Sequence, residues 1–154
     1  ISNYLKMKGL DIIGLDIADK MIEMARKLNP FIDFRTGDVF DLKFNDHSVA
    51  GIVAPYLIVN FTIEAIPKAF AEMYRVLMKK GQLLISFHSG DQQELEINDF
   101  FEEGNTIPYT YFNADAIRNR LVDSGFSIIE YINRMPYEGE VTTRTYIFAE
   151  KNDR

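Results

Sequence analysis

Two short segments of this chain stop on a carboxylate where a nucleotide would need one: Asp11-Ile-Ile-Gly-Leu-Asp16 and Phe31-Ile-Asp-Phe-Arg-Thr-Gly-Asp38. Each reads as a buried strand ending in acid, and the first runs on into a helix beginning near Asp19. In an open α/β sheet, ligands bind beyond the carboxyl ends of the strands, where an Asp hydrogen-bonds a ribose diol or an adenine edge. A glycine-rich turn belongs roughly 20 residues before such an acid. The only glycine before Asp16 besides Gly14 is Gly9. The sequence therefore carries half of a nucleotide-cofactor pattern. His47 and His88 are too few and too isolated for a metal site, and the absence of cysteine excludes disulfides and thiolate ligands.

The elements that must hold these acids follow from periodicity and punctuation. Ser2 to Lys8 reads as the tail of a helix stopped by Gly9. Asp19–Leu28 places Met21 or Ile22, Ala25 and Leu28 at helical spacing, and Asn29-Pro30 ends it. Ile32–Phe34 is a short strand before the turn Thr36-Gly37-Asp38. Val49–Ala54 is a continuous small-apolar strand of the kind buried on both faces. Thr62 is the expected cap of the next helix, whose stripe is Ile66, Phe70, Met73 and Leu77, with Lys79-Lys80-Gly81 as its stop. Gln82–His88 is the following strand. Asn113 caps a helix carrying Ile117 and Leu121 and closed at Gly125. Phe126–Ile132 and Thr143–Ala149 are two strands whose sequential spacing predicts an antiparallel pair. Alternating strands and helices fix the class as α/β.

At 154 residues with 47% apolar content the chain is the size of one domain. A net charge of −6 argues against a nucleic-acid partner, which wants a basic face. No run of 18 apolar residues and no charged leader with an apolar stretch is present, so the expectation is a cytoplasmic protein with no membrane partner.

Taken together, Gly14-Leu-Asp-Ile-Ala-Asp-Lys-Met21, Thr36-Gly-Asp-Val39, Arg75-Val-Leu77 and Gly81-Gln-Leu-Leu-Ile-Ser86 resemble a class I S-adenosylmethionine-dependent methyltransferase. Ser86-Phe-His-Ser-Gly-Asp91 and Arg134-Met-Pro-Tyr137 look like the small bacterial members. The resemblance spans nearly the whole chain. It implies a single methyltransferase domain over 1–154 with a doubly wound, Rossmann-like sheet, mostly parallel and closed by a C-terminal antiparallel hairpin. It also implies S-adenosylmethionine as cofactor and transfer of its methyl group to a small-molecule acceptor. Asp16 would take the ribose hydroxyls, with Ile17 and Met21 against the adenine. Asp38 would accept from the adenine amino group, with Val39 beside the ring. Ala54 and Tyr56, around Pro55, would lie where the methionine part meets the acceptor. Read without the resemblance, Met21 is a core residue, Asp16 a helix-capping or surface carboxylate, and Asp38 an ordinary turn residue.

The sequence departs from the family pattern in three places. The opening strand and its glycine-rich loop have no counterpart; Ala50 stands where many relatives carry Asp; and Lys79-Lys80 replaces the usual Pro-Gly. The missing strand belongs at the centre of the sheet, between Asp11–Asp16 and Val49–Ala54. Its loss would leave two unpaired edges. The expectation is therefore that the native polypeptide has several tens of residues upstream. The alternative function is a non-catalytic fragment or cofactor-dead interaction module of the same fold. An NAD-type oxidoreductase is a third reading, disfavoured by Gly37-Asp-Val39 and the closing hairpin.

Methyl transfer needs nucleophile and methyl held in line with water excluded, so no catalytic triad is required and none is found. His88, at the end of its strand, is the candidate base; the alternative is a partly buried histidine bonded to backbone. His47, in a polar loop, should face solvent. Residues 91–112 are too polar for another core element and should form an aromatic cover, from Phe100-Phe101 and Ile107-Pro-Tyr-Thr-Tyr-Phe112, including Tyr109 and Tyr111; it either walls in an apolar or cationic small molecule or only shields the sheet's end. Arg134, Tyr137, Glu140 and Arg144 flank the late hairpin and as a group could bind an acidic acceptor; Asn60 is a further rim candidate. The nucleophile type and the oligomeric state stay open.

Overall fold

Gly9 ends the first helix as its lack of a side chain allows. In the computed structural model, which describes residues 1–91, 93–98 and 106–153, α1 (Ser2–Met7) closes with Gly9 at φ +85°. Gly9 N–H donates to Lys6 O at 2.9 Å and Leu10 N–H to Leu5 O at 3.3 Å, the paired bonds of a Schellman stop. The described residues group into two units, Ile1–Lys43 and Phe44–Arg154.

In the first unit, β1 (Ile13–Asp16) and β2 (Asp33–Thr36) pair in parallel, joined by α2 (Asp19–Leu28). Gly14 faces Phe34 across the pair, and a Cβ there would lie 2.3 Å from the ring. Glycine is thus what lets Phe34 fold over β1 and join Ile22 and Ile32 in the core. Arg26, in the last turn of α2, donates twice to Phe34 O, at 3.0 and 2.7 Å, fastening helix to strand. Of the two candidates on α2, Ile22 is the core residue and Met21 is 41% exposed. The expectation of a buried first strand is corrected: Ile13 and Leu15 are 40% and 39% exposed. The physical reason is that, among the described residues, β1 bonds only β2.

The second unit holds a four-stranded sheet in the order β3-β4-β8-β7, built from β3 (Val49–Pro55), β4 (Leu77–Ser89), β8 (Thr143–Lys151) and β7 (Phe126–Arg134). β3 and β4 are parallel; β4–β8 and β8–β7 are antiparallel, as the late spacing predicts. β3 is not buried on both faces: among the described residues it bonds only β4, and Val53 is 42% exposed. Helix α3 (Ile66–Val76) buries Ile66, Ala69, Phe70, Met73 and Val76 along one stripe. It starts later than Thr62 suggests, with Ala65 as N-cap and no side-chain cap. Pro67 in its first turn has no N–H to satisfy, and Thr62 only accepts a turn bond from Ala65 N–H at 3.1 Å. Helix α4 (Ala114–Asp123) is capped as expected, Asn113 Oδ1 accepting from Ala116 N–H at 3.0 Å.

The C-terminal end of α3 is closed by residues far away in sequence. Arg75 O and Val76 O accept from His47 and Ser48 N–H at 3.0 and 2.9 Å. Lys151, 3% exposed, donates to Tyr74 O and, at 2.7 Å, to Leu77 O. Its third proton reaches His47 Nδ1 at 2.9 Å. His47 is solvent-exposed as expected, yet its ring takes part in this cap. Segment 91–112 is not merely a cover: β5 (Gln93–Asn98) and β6 (Thr106–Tyr111) form an antiparallel hairpin. Phe100 and Phe101 lie outside the described residues.

The parallel strand pairs, their helical connections and the closing antiparallel strands make the class α/β and Rossmann-like.

Candidate functional site

The acids of the first unit stand where parallel strands end. Asp16 is the last residue of β1, paired with Thr36, and Asp38 lies two residues beyond the end of β2. Both are exposed. Asp16 Oδ1 accepts from Ala18 N–H at 2.9 Å, turning the chain into α2, and Gly37 N–H donates to Asp16 O at 2.9 Å. Asp38 Oδ1 accepts from Phe40 N–H at 2.8 Å in a turn closed by Asp41. Each carboxylate thus spends one oxygen on its own loop. Thr36, between the two acids, donates to Asp19 Oδ1 at 2.5 Å. Ile17 is 72% exposed, so this end of β1 presents an apolar side chain next to acid; Val39 is half-buried. Met21 is not core. It lines a cavity of about 280 Å³ with Ile1, Met24, Ala25, Leu28 and Phe34.

In the second unit, Tyr56 follows β3 with φ +53°, a backbone state unusual for an aromatic residue. Its N–H donates to Ser86 O at 2.8 Å, which holds the turn against β4. Two positions further along β4 is His88, its ring 5.0 Å from that of Tyr56. Period-two alternation of β6 sends Tyr109 and Tyr111 to one side, at 5.6 and 6.1 Å from the same imidazole. Thr110, on the other side, is buried and donates to Phe61 O at 3.1 Å. Phe112 is locked to β4 through Gly90 N–H and His88 O, which brings the end of β6 against the end of β4.

A charged clamp borders these rings. Glu140 accepts two bonds from Arg134 (2.8 and 3.1 Å) and one from Tyr137 N–H (2.9 Å), and pairs with Arg144 at 3.3 Å. The Arg134 bonds, then the Tyr137 N–H, hold Glu140 down at about 2, and the same pairing raises Arg134. Arg134 also stacks on Tyr137 at 4.0 Å. Arg144 Nε donates to the Tyr56 hydroxyl at 3.1 Å. The His88 ring meets a side chain: its Nδ1 lies 2.6 Å from Thr142 Oγ1. Burial, then the charge of Arg144, push His88 below its usual value, favouring neutral imidazole. Burial raises Tyr56 and pushes Tyr109 up to about 12, so both phenols stay protonated.

Seven of the expected residues therefore gather in one cluster: Tyr56, His88, Tyr109, Tyr111, Arg134, Tyr137 and Arg144. Asn60 ends a 3-10 turn, exposed, and Ala54 is buried at 6%. Sequence reasoning missed Thr142, which no motif marks. No group of His, Asp and Glu among the described residues is arranged to hold a metal.

Residues 1–85 match the family described as a methyltransferase domain. This chain belongs to that family. Curated relatives of the methyltransferase domain include the demethylmenaquinone methyltransferase of Renibacterium salmoninarum, 33% identical over 78 residues (51% of this chain, 32% of the relative). That of Thermotoga maritima is 36% identical over 87 residues (55% of this chain, 37% of the relative). The chain thus spans about a third of the length of these two relatives. Among solved structures, an S-adenosylmethionine-dependent methyltransferase from Methanosarcina mazei superposes with a TM-score of 0.88 at 17% identity, covering 99% of this chain and 87% of that one. At that identity the likeness concerns the fold.

Proposed function

We propose that this methyltransferase domain transfers a methyl group from S-adenosylmethionine to a small-molecule acceptor. The observation that carries the reading is the pair of adjacent parallel strands, in register, each leading to an exposed acid at the same end, within a segment matched by the family. Ligands of open α/β sheets bind beyond that end. The cofactor, when bound, supplies a methyl group already activated on a sulfonium. The residues present fit its adenosine half: Asp16 for the ribose hydroxyls, Asp38 and Val39 for the adenine edge, Ile17 and Met21 for its face. Exposed apolar side chains beside half-committed carboxylates support those roles. Ala54 and Tyr56 would serve the methionine half; the burial of Ala54 limits its part to backbone.

The Tyr56–His88–Tyr109–Tyr111 cluster with Arg134, Tyr137 and Arg144 is the acceptor side of the same reading, and Asn60 belongs to its rim. His88, kept neutral, is the candidate base. Residues 1–154 would then act as one domain, with Tyr109 and Tyr111 of β6 contributing walls to the acceptor site. No helix among the described residues is long and apolar enough to cross a membrane; together with the cysteine-free sequence, this favours work in the cytoplasm.

Calorimetric titration with S-adenosylhomocysteine tests the proposal. Binding is expected, weakened about tenfold or more by Asp16→Ala, the loss of a charge-assisted bond. Absence of binding by the folded protein would favour the non-catalytic module instead.

A further inference from the structure

Three features of the acceptor cluster restrict what it can take. First, its walls are aromatic, three tyrosines around one imidazole, all partly open to solvent. Such walls suit either a flat ring or a cation. Second, the charge around them decides between the two. Glu140 is spent on Arg134, Arg144 and Tyr137 N–H. Two guanidinium groups thus share one carboxylate, which leaves an excess positive charge beside the rings. A cationic ligand would meet repulsion there, and an anionic one attraction. Third, the imidazole is anchored on one side only. Thr142 occupies Nδ1 of His88, and no described residue reaches Nε2. The positive φ of Tyr56 adds weight, because a strained backbone persists where function selects it.

We propose that the acceptor is a planar acid, a phenol or enol, lying among Tyr56, Tyr109 and Tyr111. Its hydroxyl proton passes to His88 Nε2 and the resulting oxyanion faces Arg144. Nδ1–H of His88 then donates to Thr142, which leaves Nε2 as the basic nitrogen. The oxygen–hydrogen bond breaks and the nitrogen–hydrogen bond forms, giving an imidazolium and an oxyanion beside the arginine. Thr142 is a positioning residue that holds the Nδ1 edge of the ring; Glu140 is another, fixing Arg144. This inference rests on the methyltransferase reading for the word acceptor, but its binding chemistry stands on the second unit alone.

The probe is 4-nitrophenol, whose anion has its own absorption band. 4-Nitroanisole is the same ring without the proton, and benzyltrimethylammonium is the aromatic cation. With the full chain, 4-nitrophenol should bind about tenfold or more tightly than either comparison ligand. The bound dye should appear as phenolate at a pH where the free dye is protonated. Arg144→Met should weaken binding about tenfold, with partial recovery in Arg144→Lys, and His88→Gln should abolish the shift to phenolate. Equal or tighter binding of 4-nitroanisole or benzyltrimethylammonium overturns the proposal, as does an Arg144→Met protein that folds and binds within twofold of wild type. The comparison of ligands on the wild-type protein decides even where a variant fails to fold. S-adenosylhomocysteine titration of the same sample separates the two levels. Cofactor binding without phenol preference overturns the acceptor class alone; phenol preference without cofactor binding supports the inference and overturns methyl transfer.

Discussion

Replacing Lys151 with methionine should destabilise the protein by about 2–4 kcal/mol. The ammonium commits all three protons: to Leu77 O at 2.7 Å, to Tyr74 O and to His47 Nδ1 at 2.9 Å. Methionine keeps the apolar stem and deletes the donors. Leu77 O is then a buried carbonyl without this donor, a loss of about 1–3 kcal/mol. The favourable charge at the end of α3 also goes, about 0.3–1 kcal/mol and up to ~2 where partly buried. Opposing this, methionine escapes the desolvation that lowers the lysine's pKa. Equilibrium unfolding in urea, with an unchanged slope, reads the difference. For a domain of this size the melting temperature should fall by about 5–15 °C. A methionine variant as stable as wild type would refute the reasoning, because it would mean the ammonium's desolvation cancels its capping bonds.

Gly125 ends α4 at φ +97°, and a Cβ there would sit 2.7 Å from the Tyr74 ring; Gly125→Ala should lower stability by about 1–3 kcal/mol, measured by thermal unfolding. Glu140, ordinarily near 4.5, is held at about 2, so its contribution is complete above 4.5 and disappears as pH falls toward 2. Glu140→Gln should flatten the acid limb of a stability–pH curve, and an unchanged slope would count against the clamp. His88 is pushed below 6.5, so the unfolded chain binds its proton first and stability declines as pH drops through 6.5. Arg144→Met should move the His88 midpoint upward in a ring-proton NMR titration; a downward shift would contradict the assigned charge effect.

Much of this was written locally. The Gly9 and Gly125 stops, the Asn113 cap and the α3 stripe depend on neighbours within a few residues, so spacing reveals them. Strand-end acids at 16 and 38 were legible for the same reason. Burial of β1 and β3 was misjudged because composition reports that a strand is apolar, not how many strands lie beside it. The β5–β6 hairpin left a signal that total polarity obscured: Gln93-Glu-Leu-Glu-Ile-Asn98 alternates with period two. Nothing local marks Thr142 against His88 or Lys151 under α3, since those partners are 54 and 74 residues apart for His88 and Leu77 respectively. The backbone state of Tyr56 was equally hidden, because no glycine or asparagine announces it.

Strand β8 divides its labour by parity. Its odd positions, Thr145, Ile147, Ala149 and Lys151, are buried, while Arg144 on the even side reaches Tyr56. Core packing and the contact proposed for the acceptor therefore fall on separate sets of residues within one strand. On the proposed reading, Arg144 could be exchanged to retune ligand choice while the odd set stays constant, a route for new preferences to arise on an unaltered chassis. A slip of β8 by one residue against its neighbours would do the opposite, exchanging the two sets and forfeiting both properties at once.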